Sequence, residues 1–359
     1  MYRQIELLSA DHDVTAAGFG DPKLPGVRFV EVAAPPKSSR RRALAAARLQ
    51  LRRYASYYWN VGPVASARRA LAGGAYELIV ANESDTWPLA FALGEADGAR
   101  VLLDAHEYAP REFEDLRRWR WLYQRYRRHL CAAMLPRADA VTTVCDGIAA
   151  EYERCFGIRP TVIMNAAPLR ALTPSALDGE RVRMVHHGLA TRSRRIENMI
   201  LALDHLEERF SLDLMLVGDD ASYLASLREL ADARPRVRFV PPVAAHRLPE
   251  ETHGYDVGLF LLEPTNFNYA HALPNKFFEF VQARLAVAIG PSPEMARLVR
   301  KFDCGVVADD FRPESLAREL SALTPGSLAR LKLNAHGAAE ALSWEREREK
   351  LLELVRNLF

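Results

Sequence analysis

"VRMVHHGLATRSRRIENMILAL" (residues 182–203) and the "LDLMLVGDD" that follows it (residues 212–220) alternate two kinds of periodicity. A short apolar run ends on Gly188, and a loop with Arg192, Arg194 and Arg195 leads into an amphipathic stretch. A second apolar run then ends on Gly218 and two acids. This is the pattern of strand, crossover helix and parallel strand. The apolar runs are nearly continuous, as expected of strands covered on both faces.

The same unit recurs along the chain. In the first half the strand candidates are DVTAAGF, VRFVEV, YELIVAN, ARVLLDAHE, DAVTTVCD and PTVIMNA. After a stretch with proline and alanine at residues 166–177 come VRMVHHG, LDLMLVGDD, VRFVPP, DVGLFLL, LAVAIGP and CGVVAD. With 359 residues the chain exceeds the size at which one hydrophobic core stops growing. The expected fold is therefore α/β, with two tandem Rossmann-like doubly wound domains facing each other across a cleft. Their expected bounds are residues 1–168 and 169–342, with a final helix over about 343–359 returning to the first domain. The first domain departs from this plan at its start. YRQIELLSA reads as a helix running straight into DVTAAGF, so the opening strand and its turn are missing. A native frame that begins upstream of Met1 is the favoured expectation, and an incomplete sheet is the alternative.

Composition narrows the partners. Hydrophobic residues make up 49% and charged residues 26%, which is ordinary for a globular chain, and a net charge of +2 does not call for nucleic acid. Cys131, Cys145, Cys155 and Cys304 lack the spacing of a zinc site and read as free thiols. No segment approaches the roughly 18 to 20 apolar residues that span a bilayer. The expected location is cytoplasmic, peripheral at the inner face of a membrane. Two basic, aromatic stretches support that last point, from Arg40 to Trp59 and from Arg111 to Arg128. Arginine beside Trp119, Trp121, Tyr123 and Tyr126 suits an anionic surface. Solvated helices packed through their aromatics would account for the same pattern.

Ligands of doubly wound sheets bind outside the carboxyl ends of the strands. Three features stand there. DAHEYAP places His106 and Glu107 after a strand, where a histidine can meet a sugar hydroxyl or simply its own loop. The Gly188 loop carries Arg194 and Arg195, whose planar guanidinium groups suit phosphate. HALPNKFFEF (residues 271–280) predicts a helix with Pro274 in its first position and Phe277, Phe278, Phe280 and Val281 on its docking face. Free N–H groups at that helix start, with Asn275 and Lys276, favour an anion. Two phosphate-friendly features on one rim imply a diphosphate. Asp219 and Asp220 read as a helix cap rather than a metal site. No P-loop and no GxGxxG turn is present.

Taken in order, YRQIELLSADHDVT, DAHEYAP, RADAVTTVCDGIA, VHHGLATRSRRIENMI, VGDD and HALPNKFFEFVQARLAV resemble the retaining glycosyltransferases of family 4, which have the GT-B fold. The resemblance covers nearly the whole chain. It implies transfer of a sugar from a nucleotide-sugar donor to a glycan or lipid-linked acceptor, with retention of configuration and no metal or other cofactor. A role in bacterial surface polysaccharide synthesis is the expectation. Carried over by position, Glu279 would bind the donor ribose, Arg195 the diphosphate, and the backbone of Leu273, Pro274, Asn275 and Lys276 the sugar and phosphates. Val243 would face the base, and His106 the reacting sugar. Glu107 and His271 are further candidates for sugar contact. His271 stands where the family has the first glutamate of E-x7-E, and Leu189 where many members have a second arginine. A nucleotide-sugar epimerase and a catalytically degenerate scaffold on the same fold remain alternatives.

Overall fold

A computed structural model describes residues 1–32, 38–61, 64 and 67–359. Lys37, which precedes the first basic, aromatic stretch, lies outside the described residues. The chain divides into two compact units. Unit 1 comprises Met1–Ile163, Asn266–Asn268 and Lys350–Phe359, and unit 2 comprises Met164–Thr265 and Tyr269–Glu349.

Unit 1 contains β1 (Thr15–Gly18), β2 (Arg28–Glu31), β3 (Leu78–Asn82), β4 (Arg100–Asp104), β5 (Ala140–Thr143) and β6 (Thr161–Val162). Unit 2 contains β7 (Val182–Leu189), β8 (Phe210–Val217), β9 (Val237–Phe239), β10 (Val257–Phe260), β11 (Ala286–Ile289) and β12 (Gly305–Val307). Each of the twelve apolar runs read from the sequence holds one of these strands, and every pairing is parallel. Both units are Rossmann-like. In unit 2 the order is β12-β11-β10-β7-β8-β9, one sheet with its first strand inside. In unit 1 the strands form two sheets, β1-β2 and β3-β4-β5-β6. The chain opens with the Tyr2–Leu8 helix, which precedes β1.

The unit 2 core explains how its loops are held. β10 and β11 are buried along their full lengths. The Asn275–Gln282 helix lies on this layer through Phe277, Phe278, Phe280 and Val281, all buried as the sequence predicts. Its docking depends on Gly258 in β10, where a Cβ would stand 2.2 Å from the Phe280 ring. The absence of a side chain lets that ring press onto the strand and brings the helix start up to the end of β7. One detail differs from expectation. Pro274 is not the first helical residue but the cap before it, with extended backbone at φ −77° and ψ 155°. Its carbonyl accepts from Phe277 N at 3.0 Å, so it already serves the first turn while remaining outside it.

Candidate functional site

In unit 2 the end of β7 and the Asn275–Gln282 helix converge on one buried cation. Lys276 is buried, and its Nζ lies 3.3 Å from His186 Nε2 and 4.2 Å from the centroid of the Phe260 ring. No carboxylate stands within ion-pair range of it among the described residues. His186 Nδ1 is 2.8 Å from the Leu259 carbonyl, which can only accept, so Nδ1 carries the proton and Nε2 is free to accept from Lys276. Burial, then the charge of Arg194, holds the Lys276 ammonium well below its ordinary value, while Glu279 opposes the shift. Burial and Lys276 likewise keep His186 neutral.

Gly188 completes the wall. Its φ is +118°, a conformation other residues avoid, and a Cβ there would meet Lys276 Nζ at 3.3 Å and Arg194 Nη1 at 3.8 Å. The glycine thus leaves backbone open beside two cations. His187 faces Glu279, with Nε2 and Oε2 3.6 Å apart. Burial and then Lys276 push the His187 pKa down to about 3, so at neutral pH this is a contact of a neutral ring with a carboxylate rather than an ion pair. The structure therefore brings together Gly188, Arg194, Lys276 and Glu279 from the expected residues, and adds His186, His187 and Phe260.

The neighbouring arginines divide their work. Arg194 donates to the Leu189 carbonyl at 3.0 Å. Arg195, in left-handed backbone at φ +44°, pairs with Glu263 at 2.9 Å and is half exposed. Arg192 is taken up by Asp220 at 3.0 Å and by Ser222 at 2.7 Å. Asp220 itself accepts from Tyr223 N at 2.9 Å and caps the Ala221–Asp232 helix, the role its sequence context indicates. Leu273 is buried, Pro274 half-buried and Asn275 exposed at the helix start. His271 Nδ1 lies 3.4 Å from buried Glu294, a residue that sequence reading left aside. Val243 follows β9, two strands from β7 in the sheet.

Unit 1 gathers carboxyl groups instead. His106 follows β4 with φ +51°, and its Nδ1 lies 3.8 Å from Glu83 Oε1, itself at φ +66° after β3. The His106 carbonyl accepts from Thr143 Oγ1 at 2.7 Å, which fixes the loop. Burial, followed by Glu112, Glu107 and Asp104, pushes Glu83 up to about 8. Its side chain is 51% exposed, so solvent screens part of that shift. Glu107 Oε2 accepts from Asn268 at 3.3 Å, and Asn268 Oδ1 accepts from Tyr108 N at 2.9 Å. Asn266–Asn268 thus help to hold the His106 loop, although they lie far along the chain.

The two basic stretches also resolve. Tyr54 and Tyr57 pack on buried Tyr126 with ring centroids 5.4 and 5.0 Å apart. Trp121 and Leu51 stay outside at 64% and 67% exposure, with Gln50 donating to the Trp121 carbonyl at 2.8 Å. No helix among the described residues is long and apolar enough to cross a membrane.

Comparison with known proteins gives the fold. Sucrose-phosphate synthase from Thermosynechococcus elongatus superposes with a TM-score of 0.75 at 17% identity, over 99% of this chain and 92% of that one. Anabaena HepE in complex with UDP-glucose superposes with 0.72 at 14% identity, over 99% and 94%. The S. aureus TarM G117R mutant with UDP gives 0.64 at 12% identity, with 81% of this chain covered, and this chain spans only 58% of that one. The fold is that of the GT-B glycosyltransferases. Residues 5–170, a little under half of the chain, match the model described as Glycosyltransferase Family 4. No curated protein gave a significant match.

Proposed function

We propose that unit 2 holds a nucleoside diphosphate sugar, unit 1 binds a glycan or lipid-linked acceptor, and the sugar is transferred with retention of configuration. The observation that carries this reading is Lys276, a buried cation against the open backbone of Gly188, with no carboxylate paired to it among the described residues. A diphosphate would supply the missing negative charge, and Arg194 and Arg195 extend the cationic surface. Glu279, beside neutral His187, is placed to accept from ribose hydroxyls rather than to repel phosphate.

In this reading the bond from the anomeric carbon to the diphosphate oxygen breaks as the acceptor oxygen bonds to the same face. The acceptor proton passes to the departing diphosphate. Lys276 and Arg195 stabilise the charge that grows on that group, which is differential binding of the transition state. These cations take the part a divalent metal would otherwise play, so we propose that no metal or other cofactor is required. HepE, one of the structural neighbours, binds UDP-glucose and UDP, which makes UDP-sugars the first donors to screen. A role in bacterial surface polysaccharide synthesis, and attachment of the exposed Trp121 and Leu51 region with its arginines to an anionic membrane, belong to the same proposal.

Calorimetry with a panel of nucleotide sugars tests it. One donor should bind, and Glu279→Ala and Arg195→Ala should weaken it; unchanged affinity in both variants rules the site out. Acceptor-dependent release of nucleotide should accompany binding, whereas rearrangement of the donor without acceptor would mean an epimerase.

A further inference from the structure

Two consecutive histidines of β7 each meet an ionisable residue of the Asn275–Gln282 helix. Lys276 and Glu279 stand three positions apart, which makes them neighbours on the surface of that helix. His186 Nε2 lies 3.3 Å from Lys276 Nζ, and His187 Nε2 lies 3.6 Å from Glu279 Oε2. The first contact has a fixed polarity, because the Leu259 carbonyl keeps the His186 proton on Nδ1. The second is incomplete. His187 Nε2 is buried with no hydrogen-bond partner among the described residues, a condition that folded chains seldom leave without a use.

Charge decides which nitrogen of His187 holds its proton. The ring is neutral at neutral pH and therefore carries a single N–H. With the proton on Nδ1, the Nε2 lone pair would face a carboxylate oxygen, and the two would repel. With the proton on Nε2, an N–H is directed at the carboxylate instead. The ring is held in place for this, since it packs edge-on against Phe280 with centroids 5.0 Å apart and planes at 74°, and Phe280 is seated on Gly258. The two side chains also differ in reach. His187 is 3% exposed and Glu279 13%, so a ligand meets the carboxylate and not the ring.

We infer, on the reading of unit 2 as the donor site, that His187 is a positioning residue for Glu279: it carries its proton on Nε2, donates to the carboxylate, and so aims it at the ribose hydroxyls of the donor. Adjacent histidines then hold opposite tautomers. His186 accepts at Nε2 from a cation, and His187 donates at Nε2 to an anion. A separation of 3.6 Å exceeds the roughly 2.8 Å of a charge-assisted N–H···O bond, so donor binding closes a gap that the free protein leaves open. Glu279 accepts from hydroxyl groups, which pyrophosphate lacks. His187 therefore serves the nucleoside end of the ligand and not its phosphates.

Nitrogen-15 NMR of the histidine rings in the free 359-residue chain gives the first test, with His187→Gln to assign the signal. At neutral pH His187 should be protonated at Nε2 and His186 at Nδ1. Calorimetry with UDP, 2′,3′-dideoxy-UDP and inorganic pyrophosphate gives the second. His187→Phe should bind UDP about fivefold more weakly, while its affinities for dideoxy-UDP and pyrophosphate stay within twofold of the parent chain. His187→Gln, whose amide N–H stands where Nε2–H stood, should restore UDP binding, and the shorter His187→Asn should not. Equal losses for all three probes in His187→Phe mean that the ring only supports the fold, and they overturn the proposal, as does unchanged UDP affinity in that variant. Retained binding with the His187 proton on Nδ1 overturns this assignment alone, whereas a parent chain that binds none of the three probes overturns the donor reading and this assignment with it.

Discussion

The two units collect different ionisable groups behind their strands. In unit 2 the end of β7 meets Lys276, Arg194 and Arg195, and in unit 1 the ends of β3 and β4 meet Glu83, Asp104 and Glu107 around His106. Position in the fold is alike, but the ligand chemistry is not. A site rich in cations and open backbone suits a diphosphate, whereas a site rich in carboxylates repels one and suits hydroxyl groups, which can donate to them. In the proposed reading this contrast goes with donor binding in unit 2 and acceptor binding in unit 1.

Lys276→Met is the severest test of that contrast. Loss of a buried, charge-assisted contact should lower donor affinity by about a hundredfold by calorimetry. An apolar side chain of similar size should leave Tm unchanged or higher, because a desolvated ammonium is removed. If affinity survives, the field of unit 2 is not what binds the donor. His106→Ala in unit 1 should act differently, lowering kcat by about twentyfold through lost positioning while donor affinity stays within twofold. Equal loss of affinity in both variants would erase the distinction between the units.

Glu279→Ala and Arg195→Ala should each cost about tenfold in donor affinity, the value of one hydrogen bond to a charged group at a partly exposed place. A pH series sharpens the unit 2 side further. Burial lowers the Lys276 pKa in the free protein, and a bound diphosphate raises it. Binding then takes up a proton, so affinity is greatest below the free-protein value and declines as pH rises past it towards that of the complex. Calorimetry in buffers of different ionisation enthalpy reads the proton directly. The smallest effect belongs to Glu83, whose folded pKa is raised, so that its burden on stability is absent at low pH and grows as pH rises towards about 8. Glu83→Gln should flatten the decline of Tm over that range by about 1–3 °C.

Strands were the most legible part of this chain. Runs such as "LAVAIGP" are apolar without alternation, and burial on both faces leaves no other use for them. The Asn275–Gln282 helix was legible for a related reason, its phenylalanines marking the face that docks. Single polar pairings were not. Glu294 has the look of an ordinary first-turn acid of the Pro293–Phe302 helix, and nothing in sequence links it to His271, 23 positions away. His186 and His187 sit inside an apolar run, where burial first and then Lys276, 90 positions beyond His186, keep them neutral. Asn266–Asn268 lie in the second half of the chain with no marked pattern, yet Asn268 secures Tyr108 at a separation of 160 residues. Such contacts carry no period, and only the folded chain displays them.

The Leu259 carbonyl, by holding the His186 proton on Nδ1, turns that ring into a built-in spectroscopic reporter. Its Nε2 accepts from Lys276 only while the ammonium has no stronger partner. When an anion arrives, the imidazole nitrogen at that end loses its donor, and its nitrogen-15 chemical shift should move while that of Nδ1 stays fixed. Anion binding beside Lys276, if the proposed site holds a phosphate, should thus be readable by NMR from inside the sheet, without a label on the ligand.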